Sequence, residues 1–542
     1  MPAPKGSWED APENSGVTGI HAVLLKDGNV LLFYCRTYPF WSRIYQTDTS
    51  SVSLKSDVVP KWPKVHDNPQ YLIQPSEIFC SGHCALTDGR ILVAGGELTR
   101  PYPYSYEPID ARLGLRYSFI YDPSDPNDPW KIPGETTEPH IMNDGRWYPT
   151  LKMLHTGQVI AMGGLSGSLN SNMEPQTNRT PERYDLNFGW TAFIAPEATM
   201  PPDISYFYPD GQVIPFGPNK GKIFYSTTAF YPDNLDPPAY YIEGNPQIFD
   251  PFASGGSPYW TPQVKRSSPS EHSAGLLLPI RKGTNARSRV LISGGIWGHV
   301  NVLGRVDFID VTDPSSNPQW QSIFMQYPRM SHQAILLPDR TLLFIGGNTE
   351  IEDNGQTIPV PVEHAELLNT DTMTWIDNEI TKIPIARMYH STGLLLPNGK
   401  ILLAGGRIPD SGDIEDDTER RLSLYSPGYL EDGEQPVIAD PPQSMAYGQA
   451  YNFTVLQARV VDSVCLMKLG SVTHGNNMDQ RYVELDFEPG SGGVYTVHAP
   501  ADAYLAPPGY YMLFVLKDKS ESVSALSKIP SYGHIVKVGS AQ

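Results

Sequence analysis

Three unlike side chains share one position when repeated segments of the chain are aligned on a turn glycine. Cys80 stands nine residues before Gly89, Tyr148 nine before Gly157, and His390 nine before Gly399. Equivalent positions in a ring of repeats are related by rotation, so a thiol, a phenol and an imidazole would enter one end of a shared channel. Tyr389, directly before His390, reaches the same space if the chain bends there. Imidazole nitrogen and phenolate oxygen suit Cu(II) in tetragonal geometry, and a nearby thiolate suits copper chemistry as well. Taken singly, each residue has a plainer reading. A lone Cys80 is a small buried hydrophobe, and Tyr148 with its neighbour Trp147 would pack a channel. His390 begins a repeat, as do His21, His83, His272 and His332. Only the Tyr389-His390 pair and its alignment with Cys80 and Tyr148 lift it above that background.

The elements that must carry these residues are hairpins. An apolar strand, a tight turn and a second apolar strand, often closed by Gly-Gly, recur as HAVLLKDGNVLLF, HCALTDGRILVAGG, YPTLKMLHTGQVIAMGG and YFYPDGQVIPFG, then HSAGLLLP with RVLISGG, HQAILLPDRTLLFIGG and HSTGLLLPNGKILLAGG. The D-G, T-G and N-G pairs suit short β-connections, and no single hairpin buries its own face, so radial packing of seven copies is expected. The Gly-Gly pairs close strands and precede no helix, so they are not dinucleotide loops. After about residue 428 the pattern changes to alternating strands with proline-rich turns. The fold class expected is all-β: a seven-bladed kelch-like β-propeller over residues 1–428, followed by a C-terminal immunoglobulin-like β-sandwich over 429–542.

Composition narrows the function. The 542 residues carry 59 acidic and 40 basic side chains, a net charge of −19, with no basic stripe to follow a phosphate backbone, so no nucleic acid is expected as partner. The same field disfavours anionic substrates unless a local arginine overrides it. No apolar run has the length of a membrane span, and the N-terminus lacks the apolar segment of a signal peptide. Four cysteines, Cys35, Cys80, Cys84 and Cys465, are too few for a disulfide framework and lack zinc-site spacing; all but Cys80 read as core thiols. Asn178 and Asn452 begin glycosylation sequons, a three-residue match of little weight.

IFCSGHCALTDGRILVAGG, NDGRWYPTLKML, ARMYHSTGLLLPNGK and VTHGNNMDQRY resemble, in order and context, the motifs of the copper radical oxidases, the galactose oxidase and glyoxal oxidase family. The resemblance implies a Cys80–Tyr148 thioether, with Tyr148 ligating copper and holding a radical. It implies Tyr389 as the axial ligand, His390 and His474 as the histidine ligands, and a C-terminal hairpin that brings His474 into the propeller. Galactose oxidase places a tryptophan two residues after the Gly-Gly that follows the linked tyrosine. That position is Ser166 here, and RWYPT is nearer the glyoxal oxidase branch and its bacterial relatives; Trp297, after Gly294-Gly295, is the candidate for the stacking indole.

The implied activity is oxidation of a small aldehyde, as its hydrate, or of a primary alcohol, with dioxygen leaving as hydrogen peroxide. Tyr389 would take the substrate's hydroxyl proton and Tyr148 its hydrogen atom. The expected cofactors are one copper ion and the Cys-Tyr radical. A monomer is expected, and the resemblance suggests a secreted or cell-surface protein. The rival reading is a kelch-type scaffold that binds proteins or glycans through its loops; a third is a metal-binding relative without activity.

Overall fold

The second strand of each repeat is an almost unbroken apolar run, VLLFY, ILVA, VIAM, IFY, RVLIS, TLLFI or ILLAG, and almost all of it is buried. Alternation is needed only where one face of a strand meets water, so such runs suit strands covered on both faces. The computed structural model describes residues 6–539 apart from 35–40, 48–53, 56–77, 99–112, 128, 132, 136–137, 171–174, 203, 206, 227–244, 269, 284–285, 298–300, 354, 377–379, 381, 408–418, 432, 457–460 and 519–527.

Five repeats share one turn between first and second strand. Gly28, Gly89, Gly157, Arg340 and Gly399 donate their N–H to the carbonyl three residues back, on Leu25, Leu86, Leu154, Leu337 and Leu396. Each has a left-handed φ, between +67° and +86°, the geometry that closes a short hairpin loop after a type I turn. The fourth repeat departs from expectation. Asp210-Gly211 is not a turn there: Gly211–Val213 is the first strand, paired with Ile223–Tyr225, and the connection runs through Gly217 and Gly221. Asp210 is buried, and its carboxylate accepts from Gln212 Nε2 at 2.7 Å and Ser226 Oγ at 2.9 Å, which ties it inside the sheet.

Among the described residues, seven sheets of four repeat strands follow, each running outward from a first strand. The first strands touch in succession, from Gly82–Ala85 through Thr150–Met153, Gly211–Val213, Ala274–Leu277, Gln333–Leu336 and Ser391–Leu395 to His21–Leu24. The outermost strand of the last sheet comes from the other end of the chain: Ser7–Asn14 pairs with Arg421–Ser426, Ser7 opposite Ser426. This pairing joins the two ends of the repeat array.

The C-terminal part forms two further sheets, Val437–Ala439, Ala450–Leu456, Val494–His498 and Phe487–Pro489 against a second built on Val461–Lys468 and Gly509–Asp518. Phe453, Val455, Val464, Leu466, Val497, Leu513 and Val515 form their core. From this part a hairpin returns to the repeats: Ser471–Thr473 pairs antiparallel with His21–Leu24, His21 opposite Thr473, and also touches Gly82–Ala85 and Ser391–Leu395. Buried backbone groups must be paired, and the hairpin's side chains pair those of the first strands. Asp479 accepts from the Ala85 N–H and Gln480 from the Leu336 N–H, while Gln480 donates to the Ala334 carbonyl and Arg481 to that of Val213. Polar side chains spaced along one segment thus fix its register against several sheets at once.

Candidate metal centre

Six repeats place a non-glycine residue in the left-handed region just before the first strand: Cys80 (φ +56°), Tyr148 (+70°), Tyr208 (+41°), His272 (+53°), Ser331 (+53°) and His390 (+68°). The position inferred from glycine alignment for Cys80, Tyr148 and His390 therefore has three more occupants. Tyr208 stands nine residues before Gly217. Ser331 stands nine before Arg340, which takes the turn position without being glycine, so alignment on glycine passes over it. The bends are linked through the backbone: the Tyr148 N–H donates to the Cys80 carbonyl and the Tyr208 N–H to that of Tyr148, each at 2.9 Å, and the Ser331 N–H to that of His272 at 2.8 Å.

An arginine before three of these bends sets their place. Arg146, Arg329 and Arg387 each donate from Nη1 to the first glycine carbonyl of their own Gly-Gly, on Gly163, Gly346 and Gly405, and from Nη2 to the third strand or the residues leading into it. Each arginine's own carbonyl accepts from the second glycine of the preceding repeat, Gly96, Gly295 or Gly347. A Cβ on Gly95 would lie 2.3 Å from the Arg146 oxygen, so the close approach requires glycine. Arg146 and Arg329 stand two residues before the bend residue, but Arg387 stands three before His390. The extra residue puts one more position between the arginine and the bend in the repeat that carries Tyr389 and His390.

The centre is buried. An imidazole nitrogen of His390 and one of His474 lie with Cys80 Sγ within 4.8 Å of one another. Cys80 Sγ is 3.3 Å from His474 Nε2, and Tyr148 Oη is 3.5 Å from Tyr389 Oη. The His390 and His474 rings are 4.8 Å apart at 90°, and the Tyr389 ring lies 5.3 Å from that of His474. Chain segments far apart in sequence thus bring Cys80, Tyr148, Tyr389, His390 and His474 together. Trp297 is not part of this cluster. It lies on the hairpin Ile296–Trp297 with Asn301–Val302, 40% exposed. Among the described residues the rings against Tyr148 are Trp147 (4.3 Å, 38°), Phe207 (4.5 Å, 38°), Tyr208 and His474. The indole against Tyr148 is that of Trp147, the residue just before it. Ser166 instead donates to Asp144 Oδ2 at 2.6 Å.

Hydrogen bonds orient His474. Thr473 Oγ1 donates to the Ile20 carbonyl at 2.9 Å, so its 2.5 Å contact with His474 Nδ1 has the imidazole N–H as donor. This leaves the Nε2 lone pair for the centre, since the hydrogen bond on the other ring nitrogen fixes the tautomer. Burial holds the His474 imidazole well below its usual range, helped by His390 and His272, so the ring is neutral, as a metal ligand must be. Burial, with Cys80 and Tyr389 adding, pushes the Tyr148 phenol well above its usual value. A dipositive ion reverses that preference and favours phenolate. Two imidazoles, two phenols and a thiol fit copper better than a hard cation. Cys84 and Cys465 are buried strand thiols, burial raises both, and Cys35 lies outside the described residues.

Comparison with known proteins finds matches to both parts of the chain. Residues 258–429 match the family model described as glyoxal oxidase N-terminus, and 435–538 that described as galactose oxidase-like, early set domain. The aldehyde oxidase GLOX of Vitis pseudoreticulata is 25% identical over 545 residues, with 94% of each chain covered. A WSC domain-containing protein of Arthroderma benhamiae is 27% identical over 84% of this chain, which spans about half of that relative (46%). A solved fungal alcohol oxidase of the AA5 family, in complex with copper, shares the fold at TM-score 0.72 and 19% identity, with 99% of this chain and 100% of that one covered. Fold and centre together define an all-β, galactose oxidase-like protein with a C-terminal early-set domain. Residues 258–429 thus carry a glyoxal oxidase N-terminal match and 435–538 a galactose oxidase-like early-set match, and the relatives include aldehyde and galactose oxidases.

Proposed function

We propose that the chain is a copper radical oxidase acting on small aldehydes, as their hydrates, or on primary alcohols. In this reading the seven sheets are the blades of a kelch-type propeller over residues 1–428, and a sandwich over 429–542 lends it His474. The observation that carries the proposal is the convergence of Cys80, Tyr148, Tyr389, His390 and His474 on one buried point. Tyr148, Tyr389, His390 and His474 would hold copper, and Cys80 would join Tyr148 through a thioether.

Copper held by these residues would supply one of the two redox equivalents that a two-electron oxidation needs, and an oxidised, sulfur-substituted Tyr148 would supply the other. Tyr389 Oη would take the substrate's hydroxyl proton; a free phenol, with pKa about 10, is a poor base at neutral pH, and coordination to the metal would keep this one deprotonated. Tyr148 Oη, beside it, takes the hydrogen from the carbon. The aromatic wall of Trp147, Phe207 and Tyr208 keeps water from Tyr148. Dioxygen accepts two electrons and two protons and leaves as hydrogen peroxide, which balances the oxidation.

Peptide mapping after copper treatment in air, reduction and alkylation tests the reading. A Cys80 peptide joined to a Tyr148 peptide with loss of two hydrogens is the expected result. Fully alkylated Cys80 in copper-loaded protein would overturn it in favour of a metal-binding or scaffold protein. Peroxide release over a panel of aldehydes and alcohols then assigns the substrate.

A further inference from the structure

Cys80 holds a left-handed backbone that L residues other than glycine avoid at a cost of about 1–2 kcal/mol. A chain of buried side chains outside the ligand set holds it there. The Cys80 N–H donates to His21 Nε2 at 3.2 Å. His21 Nδ1 lies 3.0 Å from His83 Nε2, and His83 Nδ1 lies 2.6 Å from Ser471 Oγ. Ser471 Oγ in turn donates to the His83 carbonyl at 2.9 Å. None of the three side chains meets solvent.

The proton positions follow from one fact: a backbone N–H only donates. His21 Nε2 must accept, so the neutral ring carries its proton on Nδ1 and gives it to His83 Nε2. His83 then carries its proton on Nδ1 and gives it to Ser471 Oγ, whose own proton goes to the His83 carbonyl. Only one arrangement satisfies every member. It requires both rings to be neutral, and burial holds both far below the usual histidine range, His83 to about 3. The chain also ties together three elements. His21 lies in the strand that pairs with the C-terminal hairpin, His83 in the strand that follows Cys80, and Ser471 in the strand that leads to His474.

We propose that His21, His83 and Ser471 are positioning residues that hold Cys80 for thioether formation with Tyr148 and lock its segment to the hairpin bearing His474. The inference rests on the oxidase reading above. In the step it serves, Cys80 Sγ bonds to a ring carbon of Tyr148. One hydrogen leaves the sulfur and one leaves that carbon, and dioxygen takes both with their electrons and becomes hydrogen peroxide. The chain takes no part in the electron transfer; it fixes where the sulfur stands. Misplacement by about 1 Å at a reacting centre costs roughly a hundredfold in rate.

The test uses full-length, copper-free protein given stoichiometric copper in air, with the joined Cys80–Tyr148 peptide followed over time by mass spectrometry and bound copper measured in parallel. His21→Phe keeps the ring that stacks on Phe33 (4.5 Å, 5°) but accepts no hydrogen bond. It is expected to bind copper at wild-type stoichiometry and to form the joint 10- to 100-fold more slowly. His21→Gln, whose amide oxygen reaches the place of Nε2, is expected within about threefold of wild type, a rescue that a packing role would not give. Should His21→Phe fail to fold, Ser471→Ala carries the test, with joint formation expected several-fold slower. A wild-type rate in His21→Phe, or in Ser471→Ala where that variant stands in, overturns the inference alone, as does a Gln variant as slow as Phe. No joint in the wild-type chain overturns the oxidase reading and this inference together.

Discussion

Replacing Arg146 by methionine asks whether the arginine clasp, and not the packing around the phenol, keeps Tyr148 in place. The guanidinium is fully buried, donates to Gly163 O at 2.8 Å and to Thr180 O, and pairs with Glu182 at 2.9 Å, itself only 1% exposed. Methionine keeps much of the apolar stem but removes the charge and three donors. Glu182 then keeps one donor, the Asn143 N–H at 2.7 Å. Breaking a buried pair by removing one partner costs about 3–5 kcal/mol, a large share of a total stability of about 5–15 kcal/mol. The double variant Arg146→Met/Glu182→Met leaves no stranded charge, so about 1–3 kcal/mol from the bereft carbonyls is the cost expected to remain. The double variant should therefore be about 2 kcal/mol more stable than the single one, read from urea unfolding of copper-free protein by tryptophan fluorescence. The joint-forming rate, measured where each variant is folded, should fall in the single variant because its backbone leads straight into Tyr148. A single variant that loses less than about 1 kcal/mol, or a double variant no more stable than the single, refutes the clasp.

Four shorter tests follow. Tyr389→Phe should still form the Cys80–Tyr148 joint but lose about 10²- to 10⁴-fold in turnover, measured as peroxide release, if its phenol is the base. Thr473→Val removes the acceptor of the His474 N–H and should weaken copper binding about 10- to 100-fold by competition with a chelator. Trp147→Phe should change the optical spectrum of the oxidised protein, whereas Trp297→Phe should leave it as it is, since only Trp147 lies against Tyr148. Burial, with Arg329 adding, holds His332 to about 3, below the unfolded value of about 6.5. The unfolded state therefore binds the extra proton, and this contribution is complete above pH 6.5 and declines as pH falls below it. About 2 kcal/mol is lost by pH 5, and His332→Gln should remove that slope from the pH dependence of urea unfolding.

The hairpins and their common bend are legible in the sequence because they rest on local chemistry, apolar runs and turn glycines that repeat. Counting back from the turn finds the bend residue itself, and the count alone brings Cys80, Tyr148 and His390 to one position. The same count misses Ser331, whose turn residue is Arg340, and it misreads the fourth repeat, where a buried Asp210 looks like a turn former in sequence. What lies beyond its reach is long-range. Nothing in Ser7–Asn14 marks it as the outer strand of the last sheet, because edge pairing depends on where two chain ends meet. Trp297 has the expected place after a Gly-Gly pair, yet it is exposed, and the indole against Tyr148 is that of Trp147. The arginines carry a signal open to sequence, an Arg two or three residues before each bend in RWY, RMS and RMYH, once the bend is known to matter.

The strained backbone explains why the centre sits where it does. Cys80, Tyr148, His390 and His474 all hold left-handed angles, together about 4–8 kcal/mol of conformational cost. Such a cost persists only where the surroundings over-determine the bend, and each bend here has its own restraint. Arg146 and Arg387 clasp two of them, through Nη1 to their own repeat and through the backbone carbonyl to the preceding one, His21 accepts from Cys80, and Thr473 accepts from His474. The Tyr148 N–H to Cys80 carbonyl bond then joins the two residues proposed to cross-link, through the backbone, before any covalent step. A repeat with a strained bend at its inner end can exchange the residue there without altering its strands. Tyr208, His272 and Ser331 keep the bend beside the centre, and Phe207 next to Tyr208 packs on Tyr148 while His272 packs on Tyr389. Variation at these positions is therefore expected to change the shape of the site while leaving the sheets intact.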